Sequence, residues 1–231
     1  MEGGKMEKST IKRNIGVCLM ALAMIVAMIP SWSVTANAAS DYGLKVSGKA
    51  VTSDNTRGKG WSYDLSTNTL TLNGYSYSEE GKGDGTFSGG IYSTSDLTIE
   101  LIGNNSVNNT YSHQYNYSCG IFVNGKLTIT GDGSLTTSGG SGSNGKGSCG
   151  IMAGGLTVNS GTIIAIGKTA NESYGIGTVG LSKDIIVKGG TITATGASAT
   201  SSSCGIQCSG NFTMNDGTIT ATGASATSSS C

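Results

Sequence analysis

Few residues in this chain could do chemistry, and the most regularly placed are cysteines. Cys119, Cys149, Cys204 and Cys231 each stand two residues before a position that is, or in the next unit would be, an isoleucine, and Cys208 stands two residues after Ile206. Side chains two apart on a strand share a face, so this spacing predicts an interior ladder of thiols aligned with those isoleucines. In stacked parallel strands, neighbouring Cα atoms would be about 4.8 Å apart, within reach of a disulfide. Two states stay open: free thiols packed as small apolar residues, or a bridge between Cys119 and Cys149. A single histidine and no Cys-x-x-Cys pair argue against a zinc site.

A second constellation is rich in tyrosine. The segment before Gly90 carries Tyr75, Tyr77, Glu79, Glu80 and Asp84, and the segment before Gly120 carries Asn108, Asn109, Tyr111, His113, Gln114, Tyr115 and Tyr117. Flat apolar rings beside amides and carboxylates suit a sugar, which has apolar faces edged with hydroxyls. The candidate carbohydrate-binding residues are therefore Tyr75, Tyr77, Tyr111, His113, Tyr115 and Tyr117. The competing reading is that these tyrosines pack over an edge of the fold. Glycan cleavage needs clustered carboxylates, yet Asp132 and Asp216, which occupy equivalent turns, would be three repeats or about 14 Å apart. His113 has no partner nucleophile in a recognisable motif, so no catalytic residue is assigned and no metal ligand is named.

These residues must be held by something, and the N-terminus is not it. Lys5, Lys8, Lys12 and Arg13 precede an apolar run from Val17 to Ile29; Pro30 breaks it, and Ala36-Asn37-Ala38 follows. This is the layout of an export signal cleaved after Ala38, and the run is too short for a membrane-spanning helix. The mature chain is expected to be secreted or associated with a cell wall, with no membrane insertion. It retains ten Lys or Arg and twelve Asp or Glu, and so sparse a charge gives no basic patch for nucleic acid.

Thirty-eight glycines and one proline accompany strand-like runs of Thr, Ile and Val, which points to many short strands joined by glycine turns. Gly-Ile recurs at 90, 120, 150, 175 and 205. Each pair is followed by an alternating strand (Leu97-Thr98-Ile99, Leu127-Thr128-Ile129, Leu156-Thr157-Val158, Ile185-Ile186-Val187, Phe212-Thr213-Met214) and then by a third (Leu135 to Thr137, Thr162 to Ala165, Thr191 to Ala194, Thr218 to Ala221). Three short strands in 25 to 30 residues form one coil of a solenoid. The expected fold is all-β: a right-handed, single-stranded parallel β-helix. Residues 39–85 would hold an N-terminal hairpin cap and the first strands, with Trp61 to Leu65 pairing with Thr69 to Leu72, and residues 86–231 would hold the repeats. Gly190 to Cys204 recurs unchanged as Gly217 to Cys231, so further coils are expected beyond Cys231. Outward Thr193, Thr195, Thr220 and Thr222 form too short a row to suggest an ice-binding face.

The stretches Trp61 to Asn73, Gly90-Ile91-Tyr92 with Leu97 to Asn105, and Gly120 to Leu135 resemble the secreted carbohydrate-binding-domain β-helix proteins of Gram-positive anaerobic bacteria. The resemblance spans the mature chain. It implies a fold related to pectate lyases, an extracellular or wall location, and binding of polysaccharide or cell-wall glycan, sometimes with calcium. It supplies no binding motif. The expected function is non-catalytic polysaccharide binding. The alternatives are a polysaccharide lyase-like enzyme and a structural stalk or adhesin.

Overall fold

The computed structural model describes residues 39–111, 117–141 and 146–231. The segment read as an export signal lies outside them, as do His113 and Tyr115. The described chain is a parallel β-helix of about five turns, and it contains strands and no helix. Hence no helix among the described residues is long and apolar enough to cross a membrane.

Three sheets wrap the core. Sheet 1 stacks Phe87–Ser93, Tyr117–Val123, Gly147–Ala153, Ala170–Thr178 and Ala199–Gln207. Sheet 2 stacks Thr69–Asn73, Leu97–Ile102, Leu127–Gly131, Leu156–Val158, Ile185–Val187 and Phe212–Met214. Sheet 3 stacks Ser76–Glu79, Asn104–Asn109, Ser134–Ser138, Thr162–Ile166, Thr191–Thr195 and Thr218–Thr222. Equivalent residues meet in register, so Ile91, Ile121, Ile151 and Ile176 form one interior column, and Ile99, Ile129, Val158 and Val187 another. A single coil could not bury these side chains; the stack buries all of them.

The Gly-Ile pair has a steric cause. Ser118 faces a corner of the interior, where its hydroxyl accepts a hydrogen bond from Gly140 N, and Cys119 faces outward. Gly120 and Ile121 then both face inward before Phe122 turns out again. Two consecutive inward residues break strand parity, and only glycine fits the first position. A Cβ on Gly150 would lie 2.4 Å from Ile166 N, and one on Gly175 2.4 Å from Thr195 N, because the end of sheet 3 crosses there.

A serine two residues before each of these glycines completes the corner. Ser148, Ser173 and Ser203 are fully buried, and their hydroxyls accept from Lys168 N at 2.9 Å, Ala197 N at 2.8 Å and Ala224 N at 2.8 Å. Each bond satisfies a backbone donor that the turn leaves without a ladder partner. In the first full turn, buried Asn105 and Asn109 do similar work: Asn105 accepts from Tyr75 N, and Asn109 accepts from Gly81 N while donating to Cys119 O.

The N-terminal end is closed by antiparallel pairing. Trp61–Asp64 pairs with Thr69–Asn73 through a turn in which Asn68 adopts a left-handed conformation, and the Tyr63 hydroxyl donates to the Asn68 side chain at 2.7 Å. Asp41–Val46 runs antiparallel to Phe87–Ser93 and places Leu44 and Val46 in the core. These pairings remove the free strand edge that an uncapped solenoid would present. At the opposite end, Phe212 and Met214 are almost half exposed.

The repeat lengths conceal two different devices. Coils of 30 residues ending at Gly120 and Gly150 carry their extra residues between sheets 3 and 1, whereas the 25-residue coil ending at Gly175 has a short corner there. The 30-residue coil ending at Gly205 regains its length elsewhere, in a loop between Thr178 and Ile185 that joins sheets 1 and 2.

Candidate functional site

The parity break at Gly-Ile decides what lies outside sheet 1. Outward positions fall at three columns: Phe87, Tyr117, Gly147, Glu172 and Ser202; Gly89, Cys119, Cys149, Tyr174 and Cys204; and Tyr92, Phe122, Met152, Gly177 and Gln207. Their apolar members form a second buried cluster, separate from the interior core. This corrects the expected thiol ladder. Cys119, Cys149 and Cys204 lie in the outer cluster, because Gly and Ile share the inward face and the count of two from isoleucine no longer preserves the side. Cys204 is bonded to Cys231, with Cα atoms 4.5 Å apart, whereas Cys119 and Cys149 are free and fully buried. Cys208, also free, packs against the interior core.

Four rings form a continuous offset stack over this face. Tyr117 lies 5.3 Å from Phe87, Phe87 lies 4.3 Å from Phe122, and Phe122 lies 5.2 Å from Tyr92, with interplanar angles of 21°, 17° and 22°. Such pairs add about 0.5–1.5 kcal/mol each beyond burial. The Lys45 ammonium sits 5.4 Å from the Tyr92 ring centroid and bonds Gly83 O. Burial, with the Asp84 carboxylate nearby, pushes the Tyr92 phenol up to about 12.

Gly147 lets Tyr117 cross a rung. A Cβ on Gly147 would lie 2.2 Å from Tyr117 Cε1, so the ring occupies the place of the missing side chain and its hydroxyl donates to Glu172 Oε2, two coils away in the same column. Burial and the adjoining carboxylate hold the Tyr117 phenol far above its ordinary value. Cys149 is likewise pushed up, by burial first and then by the neighbouring Cys119 thiol. At neutral pH, phenol and thiol are both protonated, and Tyr117 acts as a donor to Glu172.

Beside the stack is an open groove of about 260 Å³, lined by Phe87, Tyr117, Met152, Glu172, Tyr174, Thr178, Val179, Gly180 and Gln207. Gly177 makes room for it: a Cβ there would be 3.3 Å from Met152 Cε and 3.5 Å from the Tyr174 ring. The lengthened loop after Thr178 forms one wall, held by hydrogen bonds of Ser209 to Thr178 and Gly180, and carries Leu181, 90% exposed, beyond it. A second hollow, about 270 Å³, lies on the other side of that loop and is lined by Lys126, Gly154, Gly155, Thr157, Lys183 and Asp184 among others. No aromatic side chain lines it, and the buried Thr157 hydroxyl has no hydrogen-bond partner.

Of the six residues first expected to bind sugar, only Tyr117 lines the groove. Tyr75 and Tyr77 belong to the interior core, 2% and 6% exposed; their hydroxyls pair with the Ser47 hydroxyl at 2.8 Å and Glu80 O at 2.7 Å. They are packing residues, since their strand alternation points them inward. Tyr111 is half-buried and its backbone N–H donates to Asn109. Phe87, Met152, Glu172, Tyr174 and Gln207 were missed. The signal for three of them was in the repeat: large or polar residues directly after Gly-Ile, and directly before it at Tyr174, where a strictly alternating inward face would place none.

Glu172 is the one carboxylate lining the groove. Among the described residues, no three His, Cys, Asp or Glu side chains come together in a metal-binding group. The arrangement offers an apolar wall, a carboxylate acceptor, an amide and a hydroxyl, and no acid–base pair. Compared with family models, curated proteins and solved structures, the chain matches none. What the coordinates define is the class: an all-β parallel β-helix with an aromatic outer groove.

Proposed function

We propose that this chain is a non-catalytic polysaccharide-binding protein acting outside the cytoplasm, secreted or at a cell wall, and that it takes sugar rings in the groove on sheet 1. The observation that carries this reading is the groove itself, where half-buried Phe87 and Tyr117 meet Met152 and Tyr174 beside Glu172, Thr178 and Gln207. A pyranose can lay its C–H face on such a wall and direct its hydroxyls to the carboxylate, amide and hydroxyl; binding sites of this kind combine an apolar lining with a few placed polar groups. The basic, apolar and small-residue order of the first 38 residues and the resemblance noted above support the location.

The test is an array of glycans and plant and bacterial polysaccharides, probed with and without calcium and followed by calorimetry on any hit. Selective binding without product release, weakened about tenfold or more by Phe87→Ala and by Gln207→Ala and unchanged by Ile164→Ala on sheet 3, is the expected result. Ile164 is exposed and remote in sequence from the groove columns. A blank array would refute the proposal and favour the stalk, which the unchanged repetition of Gly190 to Cys204 in the next coil already fits.

A further inference from the structure

We infer that Cys119 and Cys149 are a second disulfide site, closing a rung-to-rung bridge beneath the groove when the chain meets a disulfide oxidant. Cys119 and Cys149 are direct register partners in adjacent strands of sheet 1, on the same outward column that contains Cys204. In that column the next pair, Cys204 and Cys231, is bridged across neighbouring coils with its Cα atoms 4.5 Å apart. The column geometry therefore admits a disulfide without moving the backbone, which answers the objection that in-register side chains run parallel and cannot converge. The two free thiols already touch, within hydrogen-bond reach of one another.

Their surroundings suit a structural bridge better than a reactive thiol. Both sulfurs are fully buried, with Phe122, Met152 and Tyr174 in the same cluster. A bridge there would tie the strand that supplies Tyr117 to the one that supplies Met152. Closure needs an oxidant, and glutathione disulfide serves. One protein thiolate attacks it, forming a mixed disulfide and releasing one glutathione thiolate; the second protein thiolate then displaces the other. One S–S bond forms in the protein and one breaks in glutathione, and two electrons pass from the protein sulfurs to the oxidant. Because the buried thiols are held protonated, reaction in the folded chain will be slow, and closure belongs to folding.

The reduced, unfolded full chain is refolded in a glutathione redox buffer, its remaining thiols are alkylated, and the intact mass is read. The chain has six cysteines. With Cys204–Cys231 closed alone, four take the label; with both bridges, two. The expected product carries two, and after trypsin the peptide Gly83 to Lys126 is joined to the peptide Gly147 to Lys168. Cys204, Cys208 and Cys231 all fall on Gly189 to Cys231, so this linkage cannot be confused with theirs. A Cys208→Ala chain should give the same linked pair and one label. Folded protein that carries four labels overturns the inference, as does a linked pair that includes Cys208. Failure of both bridges to close overturns it too, because the bridged column on which it rests would then be absent.

Discussion

The two faces of sheet 1 are made by the same strands and obey different rules. Inside, each column repeats one kind of residue: isoleucine over isoleucine, serine over serine, glycine over glycine. Outside, no column repeats; phenylalanine, tyrosine, glycine and glutamate follow one another within a single one. The interior must present the same volume at every rung, because each rung is the floor of the next. The outer face has no such constraint, so a ring on one coil can lie across a glycine on the next and reach a carboxylate on the third. Repetition builds the scaffold, and departures from it build the groove.

Substitutions that introduce bulk or voids inside should cost most. Gly150→Val puts a side chain against Ile166 N and should destabilise by about 3 kcal/mol or more. Leu135→Ala, fully buried, should cost about 2–5 kcal/mol. Chemical denaturation measures both. If Gly150→Val melts like the parent, the crossing at the corner is not the reason for the glycine.

Alkali should strain both faces at once. Tyr77 in the interior and Tyr92 outside are each pushed up to about 12 by burial from an ordinary value of 10. Between pH 10 and 12 the unfolded chain has lost protons that the folded chain keeps, so stability falls as pH rises, by about 1.4 kcal/mol per pH unit for each phenol. Below pH 10 these two groups should contribute no slope. Thermal melts of Tyr77→Phe and Tyr92→Phe should each lose part of the alkaline decline; a variant whose decline matches the parent would show that its phenol titrates normally.

Smaller effects separate binding from folding. Tyr117→Phe removes the donor to Glu172 and should cost about 1 kcal/mol, with a larger loss of glycan affinity than of melting temperature. The reverse pattern would make Tyr117 a packing residue. Last, Thr157→Val replaces a buried hydroxyl that has no partner, and it should be neutral or stabilise by up to about 1 kcal/mol; measurable destabilisation would mean that the hydroxyl is paired.

The sequence displayed the interior well and the outer face poorly, for the same reason. Gly-Ile, Leu-Thr-Ile and Gly-Thr-Ile recur because the core demands it, so the three sheets and their order can be read by counting. The site cannot be counted in that way. The parity break at Gly120 and Ile121 put the cysteines on the wrong side, since nothing in the residue types reveals that two consecutive positions face inward. Tyr75 and Tyr77 looked like loop residues because polar Ser76, Ser78 and Glu79 surround them, yet they alternate on a strand that buries them. The loop from Val179 to Asp184, which walls the groove, was hidden by a compensating deletion one coil earlier that kept the repeat near its usual length.

The Cys204–Cys231 bridge also has a mechanical meaning. A β-helix pulled along its axis yields one rung at a time, each freed rung paying out chain at about 3.3–3.6 Å per residue. The 27-residue span between these two cysteines cannot be paid out while the bridge holds, so that coil would unravel from its neighbours as a closed loop. Under load, extension would come from the unbridged turns nearer the cap, and reduction would lengthen the molecule in one discrete step of one coil.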